Sequence, residues 1–184
     1  DLAVKLETLV RKYAGASPHP LDSMGALVTP RSFPGGAHVA EVEIDPETGV
    51  TTILRYTAVD DCGRILNHVL LEGQLHGGII QGMGQVMGEH CIYDATGQLL
   101  TGSFLDYTMP RAGIAPDIRL YDHSVPSPNN PLGVKGAGEA GTTGALPALA
   151  LALLDALRPL GIDHLDLPYT PARIWRAIRN ARRS

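Results

Sequence analysis

Aromatic residues make up only 5% of this 184-residue chain, and it holds two cysteines, Cys62 and Cys91. Two thiols cannot build a multi-disulfide scaffold or, within this chain alone, a four-cysteine zinc or iron–sulfur site. A reducing cytoplasm is the compartment expected from so little cysteine. Basic charge is also short. The formal net charge is −4, which argues against a nucleic-acid binder, because neutralising phosphates takes a cationic excess. No uninterrupted run reaches the roughly 18 apolar residues a membrane span requires; the longest candidate, Ala145 to Leu157, contains Pro147 and Asp155. No signal-peptide pattern opens the chain, and a first residue of Asp1 suggests a processed chain or a piece of a longer one.

What is present is a globular composition, 44% hydrophobic and 18% charged, with 21 glycines that fall in clusters. A chain of this length can bury roughly 70% of the surface its unfolded form exposes. Leu2, Leu6, Leu9, Val10 and Tyr13 recur at helical spacing and predict a short amphipathic helix. Residues 15–36, rich in Gly, Pro and Ser, read as a long connection. We therefore expect an N-terminal helix and linker over 1–32 and a domain over 33–184. Apolar alternation in 38–44, the turn sequence Asp45-Pro-Glu-Thr-Gly49 and a β-branched run in 50–59 predict a hairpin. A second short hairpin is expected over 89–103, a strand over 118–125 and a loop over 126–131. Helices are expected at 67–89, at 142–157 (apolar until Asp155, hence buried) and at 171–183 with Ile174, Trp175 and Ile178 inside. Strands and helices without regular βαβ alternation point to an α+β fold with a mixed sheet and packed helices.

Of three glycine-bearing segments, two carry the chemistry; the third, Asp60-Asp61-Cys62-Gly63-Arg64, offers Cys62 as a nucleophile but without the context of a cysteine enzyme. Gly136, Gly138 and Gly141 have the spacing G-x-G-x-x-G, the dinucleotide fingerprint. No apolar strand leads into them, no strand-borne acid follows at the right distance, and the P-loop pattern fails for want of a following Lys-Ser or Lys-Thr. What remains is one acid, Glu139, on a glycine loop that runs into an apolar helix. Such a carboxylate is a candidate general base, and free N–H groups at a helix start favour an anion; a plain surface turn is the alternative. The other segment, 67–89, reads as a helix interrupted by Gly73, Gly77, Gly78, Gly82 and Gly84, with Gly88 at its end. Each interior glycine costs about 1 kcal/mol relative to Ala, so five need a reason, either close approach of another backbone or a bulky ligand. Gln74 and Gln81, seven residues apart, can share one face and suit a ligand rich in donors and acceptors. His76 reads as an ordinary hydrogen-bonding residue, Cys62 as a packing residue, and the C-terminal arginines as a solvated face or subunit contact.

Three stretches, AVDDCGRILNHVLLEGQLHGGIIQGMGQ, GQLLTGSFLDYTMPRA and NNPLGVKGAGEAGTTGALPALALALLDAL, together resemble the C-terminal part of the molybdopterin-binding large subunit of the xanthine dehydrogenase, aldehyde oxidase and carbon monoxide dehydrogenase family. The likeness runs from about Phe33 to Trp175. It implies the C-terminal half of a molybdenum-cofactor-binding domain, with molybdopterin cytosine dinucleotide shared with the rest of the molybdenum subunit. It also implies FAD and [2Fe-2S] clusters on partner subunits. The reaction implied is oxidation of an aldehyde or N-heterocycle with water as oxygen source, Glu139 being the base at Mo–OH. Gln74, Gly78, Gln81, Gly82, Gly84, Lys135, Gly136, Ala137 and Gly138 are the residues the resemblance places at the cofactor, with no metal ligand from this chain. It implies no nucleic acid and no membrane span, and activity only with the remaining subunit and the electron-transfer partners. The competing expectations are a non-catalytic molybdopterin-binding or assembly module and a nucleotide-binding fold.

Overall fold

The structure, a computed structural model, describes residues 4–28 and 30–183. Contacts divide the chain into two units, with the division between Pro30 and Arg31.

In the first unit, α1 (Leu6–Lys12) is the only helix among the described residues. It is shorter than the periodicity predicts, and the Leu2 end of that reading lies outside the described residues. Leu6 and Val10 are 69% and 49% exposed, so its apolar stripe meets no core.

The second unit is built on a sheet. β1 (Gly35–Ile44) and β2 (Thr51–Asp61) form the expected antiparallel hairpin. Asp45 makes the turn: its carboxylate accepts from Glu47 N and Thr48 Oγ1, and Gly49, at φ 73°, closes it through Gly49 N to Asp45 O at 2.7 Å. β3 (Ile118–Asp122) pairs parallel with β2, from Tyr56 opposite Ile118 to Asp60 opposite Asp122. The sheet order is β1-β2-β3 and the sheet is mixed, as the α+β reading expects. Over 89–103 the expected second hairpin shrinks to a single bridge, Tyr93 opposite Leu99. The Asp94 carboxylate accepts from the backbone N of Thr96 and Gln98, so the turn is satisfied locally and the exposed flanks gain nothing by extending a ladder.

Helix α2 (His68–Met87) starts where Asn67 Oδ1 accepts from Leu70 N at 3.1 Å, an N-cap bond. α3 (Ala140–Leu157) buries Gly141, Ala145, Leu149, Leu153 and Leu157, a stripe four residues apart. It is therefore buried on one face rather than all round: Leu151 is 63% exposed. With the turn after it, Ala140–Leu160 is a helix long and apolar enough to cross a membrane by length and composition, at a mean hydropathy of 1.5. Pro147 and Asp155 still break the uninterrupted run, and a core helix of a folded domain meets the same standard of length and average composition. α4 (Pro171–Ala181) buries Ile174 and Ile178, while Trp175 is only half-buried and carries the Arg179 guanidinium over its ring at 4.8 Å. The core joins Tyr56 and Ala58 of β2, Ile79, Met83 and Val86 of α2, the α3 stripe and the two isoleucines of α4.

Candidate functional site

The two glycine segments meet. α2 and α3 cross so closely that a Cβ on Gly78 would stand 2.9 Å from Thr142 N, one on Gly141 2.5 Å from Leu75 O, and one on Gly82 2.6 Å from Ala145 Cβ. Backbone approach therefore accounts for Gly78 and Gly141, and the Ala145 methyl for Gly82. Gly84 makes room for the Pro110 ring. The glutamines do share a face, and both reach the start of α3. Gln74 Nε2 donates to Gly138 O at 2.7 Å, and Thr142 Oγ1 donates to Gln81 Oε1 at 3.2 Å and to Gly78 O at 3.0 Å. Gln74 thus acts on the glycine loop itself.

That loop is fastened at its base and bare at its tip. Val134 bridges to Gly63, Lys135 N donates to Cys62 O, and the Asn130 side chain brackets Val134 by bonding both its N and its O. Gly63, at φ 66°, suits this approach in two ways. A side chain would strain the backbone there, and its Cβ would stand 2.5 Å from Gly133 O. Lys135 Nζ donates to Asp61 Oδ2 at 2.5 Å, the two side chains being 11% and 18% exposed. Asp61 Oδ1 also accepts from Gly63 N and Val125 N. The ammonium of Lys135, with the two backbone donors, holds the Asp61 carboxyl down at about 2. Above this anchor, Ala137 is half-buried, and a Cβ on Gly136 or Gly138 would meet nothing within 4 Å. Glu139 follows as the residue before α3, exposed, its side chain making no cap bond.

Glu139 stands on a cleft of about 750 Å³ with Gly36, His38, Asp60, Gly138 and Gly144 among its lining residues. Beneath it lies a constellation not foreseen from the sequence. The His38 ring lies between Tyr56 and Asp60, with Nδ1 2.7 Å from Tyr56 Oη and Nε2 3.2 Å from Asp60 Oδ2. The His38 and Asp60 side chains are 3% and 6% exposed. Burial first, and then the Asp60 charge, push the Tyr56 hydroxyl well above its ordinary value. The signal was the hairpin register: His38 pairs with Ala58, which sets it between residues 56 and 60 on one face of β2. Gly144 leaves room for the ring, which a Cβ there would overlap.

Cys62 is buried, and burial, then Asp60 and Asp61, push its thiol up, the opposite of a nucleophile's environment. His76 Nδ1 sits 2.8 Å from Glu72 O on an exposed turn of α2. Among the described residues no group of three or more His, Cys, Asp or Glu side chains is placed to hold a metal ion.

Residues 9–116 match a family model described as a molybdopterin cofactor-binding domain. The carbon monoxide dehydrogenase large chain of Hydrogenophaga pseudoflava is 39% identical over 149 residues, 80% of this chain and 18% of that protein. The nicotine 6-hydroxylase large subunit of Paenarthrobacter nicotinovorans is 40% identical over 147 residues, 80% of this chain and 18% of that one. Among solved structures, quinoline 2-oxidoreductase from Pseudomonas putida 86 superposes at a TM-score of 0.76 with 43% identity, covering 78% of this chain and 18% of that chain. Reconstituted CO dehydrogenase from Oligotropha carboxidovorans superposes at 0.78 with 35% identity, covering 80% and 18%. The chain thus spans about a fifth of the length of the relatives it matches.

Proposed function

The chain belongs to the molybdopterin cofactor-binding domain family, and on that premise we propose that it is the C-terminal segment, or a small subunit, of a molybdenum hydroxylase. Its residues fit a pterin ligand. Gly136 and Gly138 leave backbone open to close approach, Gln74 braces the loop that presents them, and Glu139 stands uncapped beside them. Bound there, the molybdenum–pterin, which we take to be the cytosine dinucleotide form, would supply two-electron redox chemistry with water as the source of oxygen. The work of this chain is narrower: hold the loop through Lys135, Asp61 and Gln74, and take a proton on the Glu139 carboxylate.

The open, base-fastened loop that carries Glu139 into the cleft is the observation that supports this reading. Nicotine 6-hydroxylase and quinoline 2-oxidoreductase name N-heterocycles among the relatives' substrates, and an N-heterocycle or an aldehyde is the class we propose here. Partners would be the rest of the molybdenum subunit with FAD and iron–sulfur subunits, in a reducing cytoplasm, which suits the free thiols of Cys62 and Cys91. In the assembled enzyme Glu139→Gln is expected to lower kcat about 10²- to 10⁴-fold at unchanged molybdenum content. Turnover within tenfold of the parent would remove Glu139 as the base. A natively purified complex without molybdenum or flavin would instead favour the assembly-module reading.

A further inference from the structure

The turn between β1 and β2 lies against α4, and the recess between them shares no lining residue with the cleft that holds Glu139. It has a volume of about 440 Å³ and is lined by Pro46, Glu47, Trp175, Arg179, Arg182 and Arg183. Small-molecule sites run from roughly 300 to 1,000 Å³. Both walls are fixed. The Asp45 carboxylate holds the turn through Glu47 N and Thr48 Oγ1. Gly49 lets the turn press on α4, since a Cβ there would stand 2.7 Å from Trp175 N and collide with Pro171 O. On the helix wall, Arg179 stands three residues from Arg182 and four from Arg183, a spacing at which like charges destabilise a helix. The helix dipole favours cations at this end, but it does not require them to converge on one recess. Arg182 Nη1 donates to Glu47 Oε1 at 3.0 Å. Among the described residues, Arg179 and Arg183 have no carboxylate partner. Three guanidiniums against one carboxylate leave the recess at a net +2, in a chain of net charge −4.

We infer that this recess binds a diphosphate ester, one phosphate group on Arg179 and the other on Arg183, with its organic group against Pro46 and Trp175. A guanidinium fork grips phosphate oxygens in pairs. Two forks lack an anion, and a diphosphate brings one anionic group for each, whereas a carboxylate brings a single charge on a single edge. The Arg179 guanidinium is stacked on the Trp175 ring at 4.8 Å, so it is oriented before a ligand arrives and less ordering is left for binding to pay. Glu47, 75% exposed, keeps Arg182 occupied and sets a limit on the affinity of the site.

Titration calorimetry on the assembled enzyme tests this, with inorganic pyrophosphate, ADP and orthophosphate as probes. The double variant Arg179→Gln/Arg183→Gln is expected to bind pyrophosphate and ADP about tenfold or more weakly than the parent, because each lost fork removes charge-assisted hydrogen bonds. Equal affinities in parent and variant would overturn the proposal. Glu47→Gln should act in the opposite direction: it removes the anion of the recess and frees Arg182, so pyrophosphate binding should tighten about threefold or more. Unchanged or weaker binding there would overturn the site. Orthophosphate held as tightly as pyrophosphate would overturn the two-group assignment, and ADP held tenfold less tightly than pyrophosphate would overturn the place of the organic group. Arg179, Arg183 and Glu47 are exposed, so the variants should melt with the parent. The readout needs no turnover, and the inference stands or falls apart from the reading of Glu139.

Discussion

Replacing Asp61 by Asn should destabilise the fold by about 1–2 kcal/mol at neutral pH, and by less in acid. Asp61 joins the end of β2 to three other segments: Gly63 N, Val125 N after β3, and the Lys135 ammonium at the base of the glycine loop. Its carboxyl is depressed from 3.8 to about 2 in the fold. At about 1.4 kcal/mol per unit this difference converts to roughly 2.4 kcal/mol. We reduce it to about 1–2 because the carboxylate, at 18% exposure, still reaches solvent. A depressed folded value means the stabilisation is complete well above the unfolded value and is lost as pH falls towards the folded one. The difference between parent and Asp61→Asn should therefore be constant above about pH 5, fall to about half by pH 3, and be nearly gone near pH 2. Urea unfolding of both proteins at pH 7 and at pH 3 measures it. Equal differences at the two pH values would refute the ionic origin. A difference under about 0.3 kcal/mol at pH 7 would show that Lys135 is held by its backbone alone.

Two glycine substitutions separate packing from ligand space. Gly141→Ala drives a Cβ against the Leu75 carbonyl at 2.5 Å and should cost about 1–3 kcal/mol in a thermal or urea melt; a neutral result would mean the α2–α3 crossing gives way. Gly138→Ala meets no protein atom within 4 Å. It should leave stability within about 0.5 kcal/mol yet lower the molybdenum content of the assembled enzyme, and full metal loading would place the cofactor elsewhere. Iodoacetamide at pH 8 should modify exposed Cys91 and spare buried Cys62 until denaturation; equal rates would show that the β2–loop junction opens.

Local chemistry was enough to determine the hairpin and its Asp45–Gly49 turn, the helices at α2, α3 and α4, and Glu139 on an open loop, because turn residues, periodicity and glycine spacing act over a few neighbours. It was also enough to show that the glycines of α2 needed a reason. The sequence left open which reason applied, and only the tertiary structure decided it: Gly78, Gly82 and Gly141 serve the α2–α3 crossing and Gly84 the Pro110 ring, whereas Gly73, Gly77, Gly136 and Gly138 stay open. The short 89–103 hairpin and the buried face of Trp175 were misjudged, since pairing and burial depend on neighbours far along the chain. For the same reason the Tyr56–His38–Asp60 constellation beneath the cleft was not foreseen. Its members lie up to 22 residues apart and come together through strand register, a property of the paired sheet rather than of either strand.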